Sequence, residues 1–371
     1  MRRRLGHRSW KCDARRRRVE LEVTAQLGSA SCNLVDVHQA RFGAVHASKL
    51  DQQRLHDATL VRRLVRSLDQ SGKRQVYFTF RPSVNAIPCS ARTRPMPKYR
   101  RMSEDDAEHA VQMANTVGFL TEADIWRWML SLGEGFCAEL EDKSLVGTLI
   151  VIPFGEKLAM IAMMIVHAQQ QQRGIGQRLL ELLLESRPLG TLALYATSVG
   201  EKLYRPFGFR DQGANLRLEG ALEADDAPAE PALRRMTEAD IARVIQLDAA
   251  AQGAPRGALV RSLHQRAAAA YVIDRGDTEL HGFGFASHER GVLRVGPLVA
   301  AHDTDAVALT RALSRGAGKV RIDCEPDELA LRSWAMSRGL EAGEQSPRLR
   351  RGPPLAGARH TIRALAGRAF G

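Results

Sequence analysis

One six-residue stretch combines the residue types that a phosphate site needs. Gln171-Gln172-Arg173-Gly174-Ile175-Gly176 contains two glycines and one cation, and it stands between an apolar run and a helix-forming segment. Glycine lets the backbone approach a ligand closely, and the first turn of a helix leaves amide N–H groups without partners, all pointing the same way. The stretch therefore predicts a phosphate-binding loop.

The segments on either side of this loop have to position it. Leu158–Val166 (LAMIAMMIV) is an uninterrupted apolar run, which indicates a strand buried on both faces, and QRLLELLLE at 177–185 has the apolar spacing of a helix. Thr191–Ala196 predicts a further short strand. An ordinary strand-to-helix turn is the alternative interpretation of the loop, and the buried strand before it favours the binding function.

The loop resembles the acyl-CoA signature of the GNAT acetyltransferase superfamily, Gln/Arg-x-x-Gly-x-Gly/Ala. A second block, LYATSVGEKLYRPFGF at 194–209, resembles the second GNAT motif, which has Leu-Tyr followed by a terminal Gly-Phe. Within it, Ser198 and Glu201 predict the capping box of a short helix. Two motifs in this order are more specific than either alone. The resemblance implies an acyltransferase that transfers the acetyl group of acetyl-CoA directly to an amine in a ternary complex, with a small molecule favoured as the acceptor.

The resemblance also assigns residues to acetyl-CoA binding. Loop amides would cradle the pyrophosphate, with Arg173 either touching phosphate or remaining a solvated cation, and exposed backbone of the preceding strand would hold the pantetheine arm and polarise the thioester carbonyl. Thr197 replaces the asparagine that the family often uses to reach pantetheine. The residues so assigned are Met164, Ile165, Val166, Gln171, Gln172, Arg173, Gly174, Ile175, Gly176 and Thr197.

Tyr204 matches the family tyrosine that protonates the departing thiolate. A phenol of reference pKa about 10 stays protonated at neutral pH and can give its proton to a thiolate of pKa about 8.5. A half-buried core tyrosine is the alternative. The general base stays open, because His167, Glu139 and Glu141 are all candidates and an amine presented partly neutral needs no strong base.

A repeated helix-opening sequence indicates two halves of similar architecture. Arg100–Asp106 (RRMSEDD) and Arg234–Asp240 (RRMTEAD) each place a capping box before an amphipathic helix. The predicted fold class is mixed α/β, with two GNAT-like domains in tandem, each a central and mostly antiparallel sheet flanked by helices. We place the domains at 99–219 and 232–343, joined by an acidic Ala/Pro linker at 220–231.

The two ends of this arrangement differ from a simple repeat. The second half has Ala301-His302-Asp303-Thr304-Asp305 where the phosphate loop should be, and its acids would repel pyrophosphate, so we expect it to be non-catalytic. It would complete the acceptor cleft or make contacts in a homodimer. The segment 344–371 reads as a basic, turn-rich tail that is loosely held.

Positive charge is concentrated at the N-terminus. Residues 1–101 carry 23 Lys and Arg against 7 Asp and Glu, whereas the rest of the chain carries 31 against 35. Residues 1–95 read as a low-order basic extension with a helix at 51–68 and a strand at 76–80. Three interpretations remain: an arm that touches nucleic acid nonspecifically, an organelle transit segment, or a non-functional extension before a start at Met96 or Met102.

Composition excludes several classes of protein. No apolar run reaches the length of a membrane span, and no apolar segment follows the basic N-terminus as in a secretory signal, so a cytoplasmic location is expected. Five scattered cysteines without a C-x-x-C pair indicate free thiols and no metal site. An acyl-CoA-binding regulatory module without catalysis and a protein or peptide N-acetyltransferase are the alternative functions.

Overall fold

The computed structural model describes residues 64–68, 74–78, 96–186, 190–223 and 230–371. Leu64–Leu68 (β1) and Arg74–Phe78 (β2) pair as antiparallel strands in a unit separate from the rest. The helix predicted over 51–68 is therefore wrong at 64–68, where a β-branched valine and ladder pairing favour a strand. The strand predicted at 76–80 is confirmed at 76–78. The remaining predictions for 1–95 fall outside the described residues.

The first half of the main unit follows the predicted order of elements. Its elements are β3 (Lys98–Arg101), α1 (Ala107–Asn115), α2 (Ala123–Leu132), β4 (Glu134–Glu139), β5 (Leu145–Phe154), β6 (Leu158–Val166), α3 (Ile175–Ser186), β7 (Thr191–Tyr195), α4 (Glu201–Tyr204) and β8 (Arg210–Ala221). Within the described residues no helix is long and apolar enough to cross a bilayer.

The second half repeats that order. Its elements are β9 (Leu233–Arg235), α5 (Ile241–Gln252), α6 (Gly257–Arg266), β10 (Ala269–Ile273), β11 (Gly282–Glu289), β12 (Val292–Ala300), α7 (Asp303–Leu313), β13 (Lys319–Cys324), α8 (Leu329–Ser337), β14 (Glu341–Arg351) and β15 (Ile362–Ala364). The predicted mixed α/β tandem fold is confirmed.

The repeated helix openings are built alike. Ser103 and Asp106 form a capping box before α1, and Thr237 and Asp240 form the equivalent box before α5. In each half an arginine of the first strand reaches the capping aspartate, with Nη1 to Oδ2 distances of 2.8 Å from Arg100 and 2.7 Å from Arg234. A charge-assisted pair fixes the angle at which the strand enters the helix. Both predicted capping boxes are confirmed.

The two halves exchange one strand each, β8 and β14, within one continuous sheet. The strand order is β3-β4-β5-β6-β7-β14-β8-β13-β12-β11-β10-β9, with β15 paired to β12. Thus β8 pairs with β13 of the second half, β14 pairs with β7 of the first half, and β8 and β14 pair antiparallel with each other at the centre. Each half therefore lends the other a strand.

The predicted loosely held tail is wrong, because β14 continues to Arg351 at the middle of the sheet. Leu349 is fully buried, and Phe370 near the end of the chain lies in a core. Pro347 made this segment look like a turn, since proline removes one ladder hydrogen bond. The strand accommodates it at an irregularity between Pro347 and Leu349, where Ala196 N donates to Pro347 O at 2.9 Å.

One core runs across both halves on the face that carries α1, α2, α5 and α6. Residues of all four helices contribute to it, including Ala110, Trp126, Val244 and Leu259. The opposite face is divided between a cluster under α3 and α4 and another under α7 and α8. Because the shared core and the exchanged strands both join the halves, the tandem domains cannot be separated without exposing apolar surface.

Candidate active site

Strands β6 and β7 begin as parallel neighbours and then separate. Their ladder runs from Leu158 and Thr191 to Met160 and Ala193, whereas β6 continues to Val166. The separation leaves backbone groups at the end of β6 without a β7 partner, facing an opening between the two strands. Unpaired strand edges accept extended ligands through main-chain hydrogen bonds.

A bulge in β6 lies at the mouth of this opening. Ala162 pairs with Ile150 and Ile165 pairs with Thr148, so two residues of β6, Met163 and Met164, oppose one residue of β5. Met163 has a φ of 50°, and its carbonyl accepts a hydrogen bond of 2.8 Å from Thr148 Oγ1. A bulge re-aims peptide groups and increases local twist. The predicted pantetheine segment, 164–166, follows directly.

The predicted phosphate loop closes over the end of β6. His167 Nδ1 accepts a hydrogen bond of 3.1 Å from Gln169 N and starts a 3₁₀ turn at Ala168–Gln170. Gln171 Nε2 then donates to Val166 O at 3.3 Å. His167 therefore shapes the loop through its ring nitrogen, which makes it a poor candidate for the general base.

Two residues of the loop adopt left-handed backbone conformations. Gln172 has a φ of 62° and Gly174 a φ of 78°. Gly174 O accepts from Arg178 N at 2.9 Å, so the first turn of α3 begins here with its amides at the surface of the loop. The side chain of Arg173 donates to Gln170 Oε1, which holds a cation beside these amides. Both the helix dipole and the cation favour an anion.

Gly176 allows α3 to lie close to its neighbours. A Cβ at this position would be 3.3 Å from Leu203 Cδ2 and 3.6 Å from Val166 Cγ2. Ile175 beside it is buried and anchors the helix in the core under α3. The Gly-x-Gly pair therefore combines a backbone turn at the first glycine with close packing at the second.

Tyr204 lies at the end of α4 and is 5% exposed. Its ring meets Phe209 edge-on at a centroid distance of 5.5 Å, within the same buried cluster as Ile161 and Leu194, which come from the two separating strands. Burial raises the pKa of the Tyr204 phenol well above its usual value. The phenol thus keeps its proton at neutral pH.

The cap of α4 differs from the prediction. We expected Ser198 and Glu201 to form a capping box, but Thr197 Oγ1 accepts the hydrogen bond from Gly200 N at 3.0 Å, and the Glu201 carboxylate pairs with Arg205 instead. Thr197 precedes Gly200 by three residues, the spacing of a side-chain cap. Thr197 therefore shapes the second motif, and its contact with pantetheine stays a prediction.

Glu139 is unsuited to act as a general base. Arg100 Nε donates to its carboxylate at 2.8 Å and Lys143 Nζ at 3.2 Å, and the hydrogen bond from Arg100 lowers the pKa of Glu139. Glu139 is only 5% exposed, so it is not a solvated surface charge. Glu141 is exposed in the turn between β4 and β5. Neither acid is on the strands that separate.

In the second half, the chain itself fills the equivalent opening. The ladder between β12 and β13 ends at Val295 and Ile322, and β15 then pairs with β12 at Leu298 and Val299. Leu365 N also donates to Asp323 O of β13 at 2.8 Å. An internal strand thus occupies the space that remains open between β6 and β7.

Arg363 completes this closure at the start of α7. Its Nε donates to Ala300 O at 2.9 Å, and its Nη1 donates to Asp303 Oδ1 at 2.7 Å and to Glu328 Oε2 at 2.9 Å. A guanidinium therefore sits where the first half places its phosphate loop. No prediction covered this strand, although Ile362 and Ala364 alternate with Arg363 as apolar residues of a strand do.

Comparison with known families agrees with the two halves seen in the sheet. Two family models, each described as an acetyltransferase (GNAT) domain, match residues 132–211 and residues 244–364. Each match lies within one structural half. No curated protein matches the sequence. Among the described residues, no group of three or more His, Cys, Asp and Glu side chains is arranged to hold a metal ion.

Solved structures share the fold at low sequence identity. A candidate acetyltransferase from Pyrococcus horikoshii is 22% identical, with a TM-score of 0.65 over 74% of this chain and 96% of that chain. A GCN5-related N-acetyltransferase from Sphaerobacter thermophilus is 13% identical, with a TM-score of 0.52 over 70% and 98%. A tandem GNAT protein from the clavulanic acid biosynthesis pathway is 15% identical, with a TM-score of 0.51 over 70% and 99%.

The first half carries the splayed strands, the glycine loop and the buried tyrosine, and the second half repeats the architecture with its opening filled. The chain is an acyltransferase that belongs to the GNAT acetyltransferase superfamily, with two GNAT domains in tandem.

Proposed function

We propose that the first half is an acetyl-CoA-dependent N-acetyltransferase that transfers the acetyl group directly to a small-molecule amine in a ternary complex. The observation that carries the proposal is the convergence of three features in one half: the bulged, unpaired end of β6, the loop with Gly174 at the start of α3, and Tyr204. A thioester would lie along β6 with its phosphates over α3. This placement leaves the thiol end near the cluster that contains Tyr204.

Each feature has a role in the transfer. Amides of 172–176 hold the pyrophosphate, and backbone groups of Met164, Ile165 and Val166 hold pantetheine and polarise the thioester carbonyl. The amine lone pair attacks the carbonyl carbon, the new C–N bond forms, and the C–S bond breaks. Tyr204 donates its proton to the departing sulfur, and the proton of the amine passes to solvent.

We propose a single acetyl-CoA site in each chain. β15 and Arg363 fill the equivalent site of the second half, and Asp303 and Asp305 make the start of α7 unfavourable for phosphate. The second half instead supplies β14, which flanks β7 beside the opening. Its part in the reaction is to complete the wall of the acceptor cleft.

Calorimetry on the full chain, followed by an acceptor screen, tests the proposal. We expect acetyl-CoA to bind with a stoichiometry of one per chain, and thiol release to appear with at least one member of a panel of amines and peptides. Failure to bind either acetyl-CoA or CoA would refute the proposal. Binding without thiol release would favour the regulatory module, and release only with peptides would favour a protein or peptide acetyltransferase.

Gly174→Ala is expected to weaken acetyl-CoA binding about five- to thirtyfold, because a left-handed φ costs a residue with a side chain about 1–2 kcal/mol and the loop relaxes away from the phosphates. Gly291→Ala is the matched control, since Gly291 has a φ of 76° in the hairpin between β11 and β12, far along the chain from the loop. Calorimetry should show unchanged affinity for the control. Equal effects of the two substitutions would contradict the loop assignment.

We further propose a location, an oligomeric state and a role for the basic N-terminal segment. A cytoplasmic location, a homodimer and nonspecific nucleic-acid contact through 1–95 stay expectations. Binding of a duplex by the isolated basic segment should fall steeply with salt if the arm makes phosphate contacts.

A further inference from the structure

A polar cluster lies on the sheet beside the opening between β6 and β7. We name Tyr195, Arg348, Arg359 and Glu325 the arginine shelf. Tyr195 ends β7 and pairs with Arg348 of β14, so their side chains project from the same face of the sheet. That face is opposite to α3, because Leu194 and Leu349, one residue along each strand, belong to the core under α3. The shelf thus lies on the face that carries α1, α2, α5 and α6, where Tyr195 packs against the edge of the shared core.

Hydrogen bonds join three members of the shelf. Arg359 Nε donates to Glu325 Oε1 at 2.6 Å, and Arg359 Nη2 donates to the hydroxyl oxygen of Tyr195 at 2.7 Å. Glu325 follows β13, and Arg359 belongs to the segment after β14, so the second half supplies most of the shelf. These bonds hold Arg359 over the central strands, and they occupy the Oε1 atom of Glu325.

Arg348 is left without an equivalent bond. Its closest acid in the described structure is Glu325, with Nη1 at 3.8 Å from Oε1, which is beyond hydrogen-bond distance, and that oxygen is already bonded to Arg359. The side chain of Arg348 is only 17% exposed. Burial, and next the positive charge of Arg359, lower the pKa of Arg348. The shelf therefore holds two guanidinium groups against one carboxylate.

A half-buried cation without a full counter-charge favours an anion that reaches it. A guanidinium presents parallel N–H donors that match the two oxygens of a carboxylate. The neighbouring cluster shows the contrast, because Asp323 there is fully buried and its carboxylate receives Arg217 and Arg294 at 3.3 and 3.2 Å. There both guanidinium groups lie within hydrogen-bond distance of the carboxylate, whereas in the shelf only Arg359 does.

We infer that the amine acceptor carries a carboxylate and that Arg348 binds it. The inference rests on the proposed function and adds the class of acceptor, an amino acid or a related amino carboxylate. The ladder of β6 and β7 ends two residues before Tyr195, so a carboxylate on the shelf places an attached amine toward the opening where the thioester would lie. Arg348 is thus a specificity residue contributed by the second half.

Product analogues test this inference without requiring turnover. With CoA at saturation, calorimetry would compare N-acetyl amino acids with their N-acetyl amides, which differ only in the anionic group. We expect at least one acid to bind at least about tenfold more tightly than its amide. Equal binding of every acid and amide pair, or no binding by any acid, would overturn the inference.

Substitutions assign the preference to Arg348. Arg348→Gln should abolish the preference for the acid, and Arg348→Lys should retain part of it. Arg351→Gln is the control, because Arg351 is an exposed residue of the same strand whose paired residue, Leu192, faces the other side of the sheet. A preference that survives in Arg348→Gln would assign the anion to another residue and overturn the inference.

The design separates this inference from the proposed function. The affinity for CoA, measured first, should be the same in the wild type and in all variants. A wild-type protein that does not bind CoA would refute the proposed function alone. CoA binding with a preference for acids but without thiol release would leave the carboxylate site standing and remove catalysis. Thiol release with amino amides as fast as with amino acids would leave the acetyltransferase standing and overturn the carboxylate site.

Discussion

Tyr204→Phe is expected to lower kcat about 100-fold with any acceptor that supports thiol release, while the affinity for acetyl-CoA stays nearly unchanged. The substitution removes only the hydroxyl, so the edge-on packing of the ring against Phe209 is retained. Without the phenol, the thiolate must leave without a positioned acid. Steady-state kinetics together with calorimetry would separate the loss in kcat from binding.

The pH dependence provides a second measurement. Burial raises the pKa of Tyr204, so the phenol stays protonated beyond its usual range. An acid with a raised pKa loses activity only when the pH rises past that value. The ratio of wild-type to Tyr204→Phe rates should therefore stay constant between pH 7 and about pH 9, which is below the reference pKa of tyrosine.

Tyr271→Phe is a suitable control for this experiment. Tyr271 is a half-buried tyrosine of β10 in the second half, away from the separated strands. Its loss should leave kcat unchanged. Full activity in Tyr204→Phe would remove Tyr204 from the mechanism and leave it as a core residue.

Leu349→Ala is expected to lower the free energy of unfolding by about 3 kcal/mol, since Leu349 is fully buried and a deleted core leucine costs 2–5 kcal/mol. Leu349 lies in β14 of the second half, but it packs in the core of the first half with Leu179 and Phe209. Because the halves share a sheet, calorimetry should show one thermal transition for the main unit, shifted as a whole. Denaturant unfolding would give the change in free energy.

Leu329→Ala serves as the control for stability, because Leu329 at the start of α8 is 61% exposed. It should change the free energy of unfolding by no more than about 0.5 kcal/mol. Two separate transitions, of which only one shifts in Leu349→Ala, would contradict the exchange of strands. That result would show that each half folds around its own last strand.

Local sequence patterns predicted the parts of the site that are local in the chain. The loop from Gln171 to Gly176 follows a buried strand and opens a helix as expected, and both capping boxes form. These features depend on residues within one or two turns of each other. The Ser198 box failed for the same local reason, because Thr197 lies at a competing cap position and its hydroxyl takes the amide of Gly200.

Features that depend on contacts between distant segments could not be predicted. Nothing within β14 identifies β7 as its neighbour, and Pro347 argued against a central strand. In the arginine shelf, Arg359 donates a hydrogen bond to Tyr195, and no hydrophobic periodicity or motif in the sequence relates these two residues. The pairing of β15 with β12, which fills the opening between β12 and β13, likewise depends on tertiary contacts. These contacts outweigh the basic, turn-rich composition that predicted a loose tail.

The exchange of β8 and β14 affects the order in which the protein can assemble during synthesis. When β7 leaves the ribosome, its partner at Arg348–Arg351 has not yet been made, and β8 cannot finish its pairing until β13 appears. The first domain therefore waits with an open sheet edge while nearly the whole second domain is translated. Such an edge pairs readily with other chains. We expect the nascent protein to depend on chaperones more than a single GNAT domain does. Chains that end before β14 should aggregate and should not yield a free first domain.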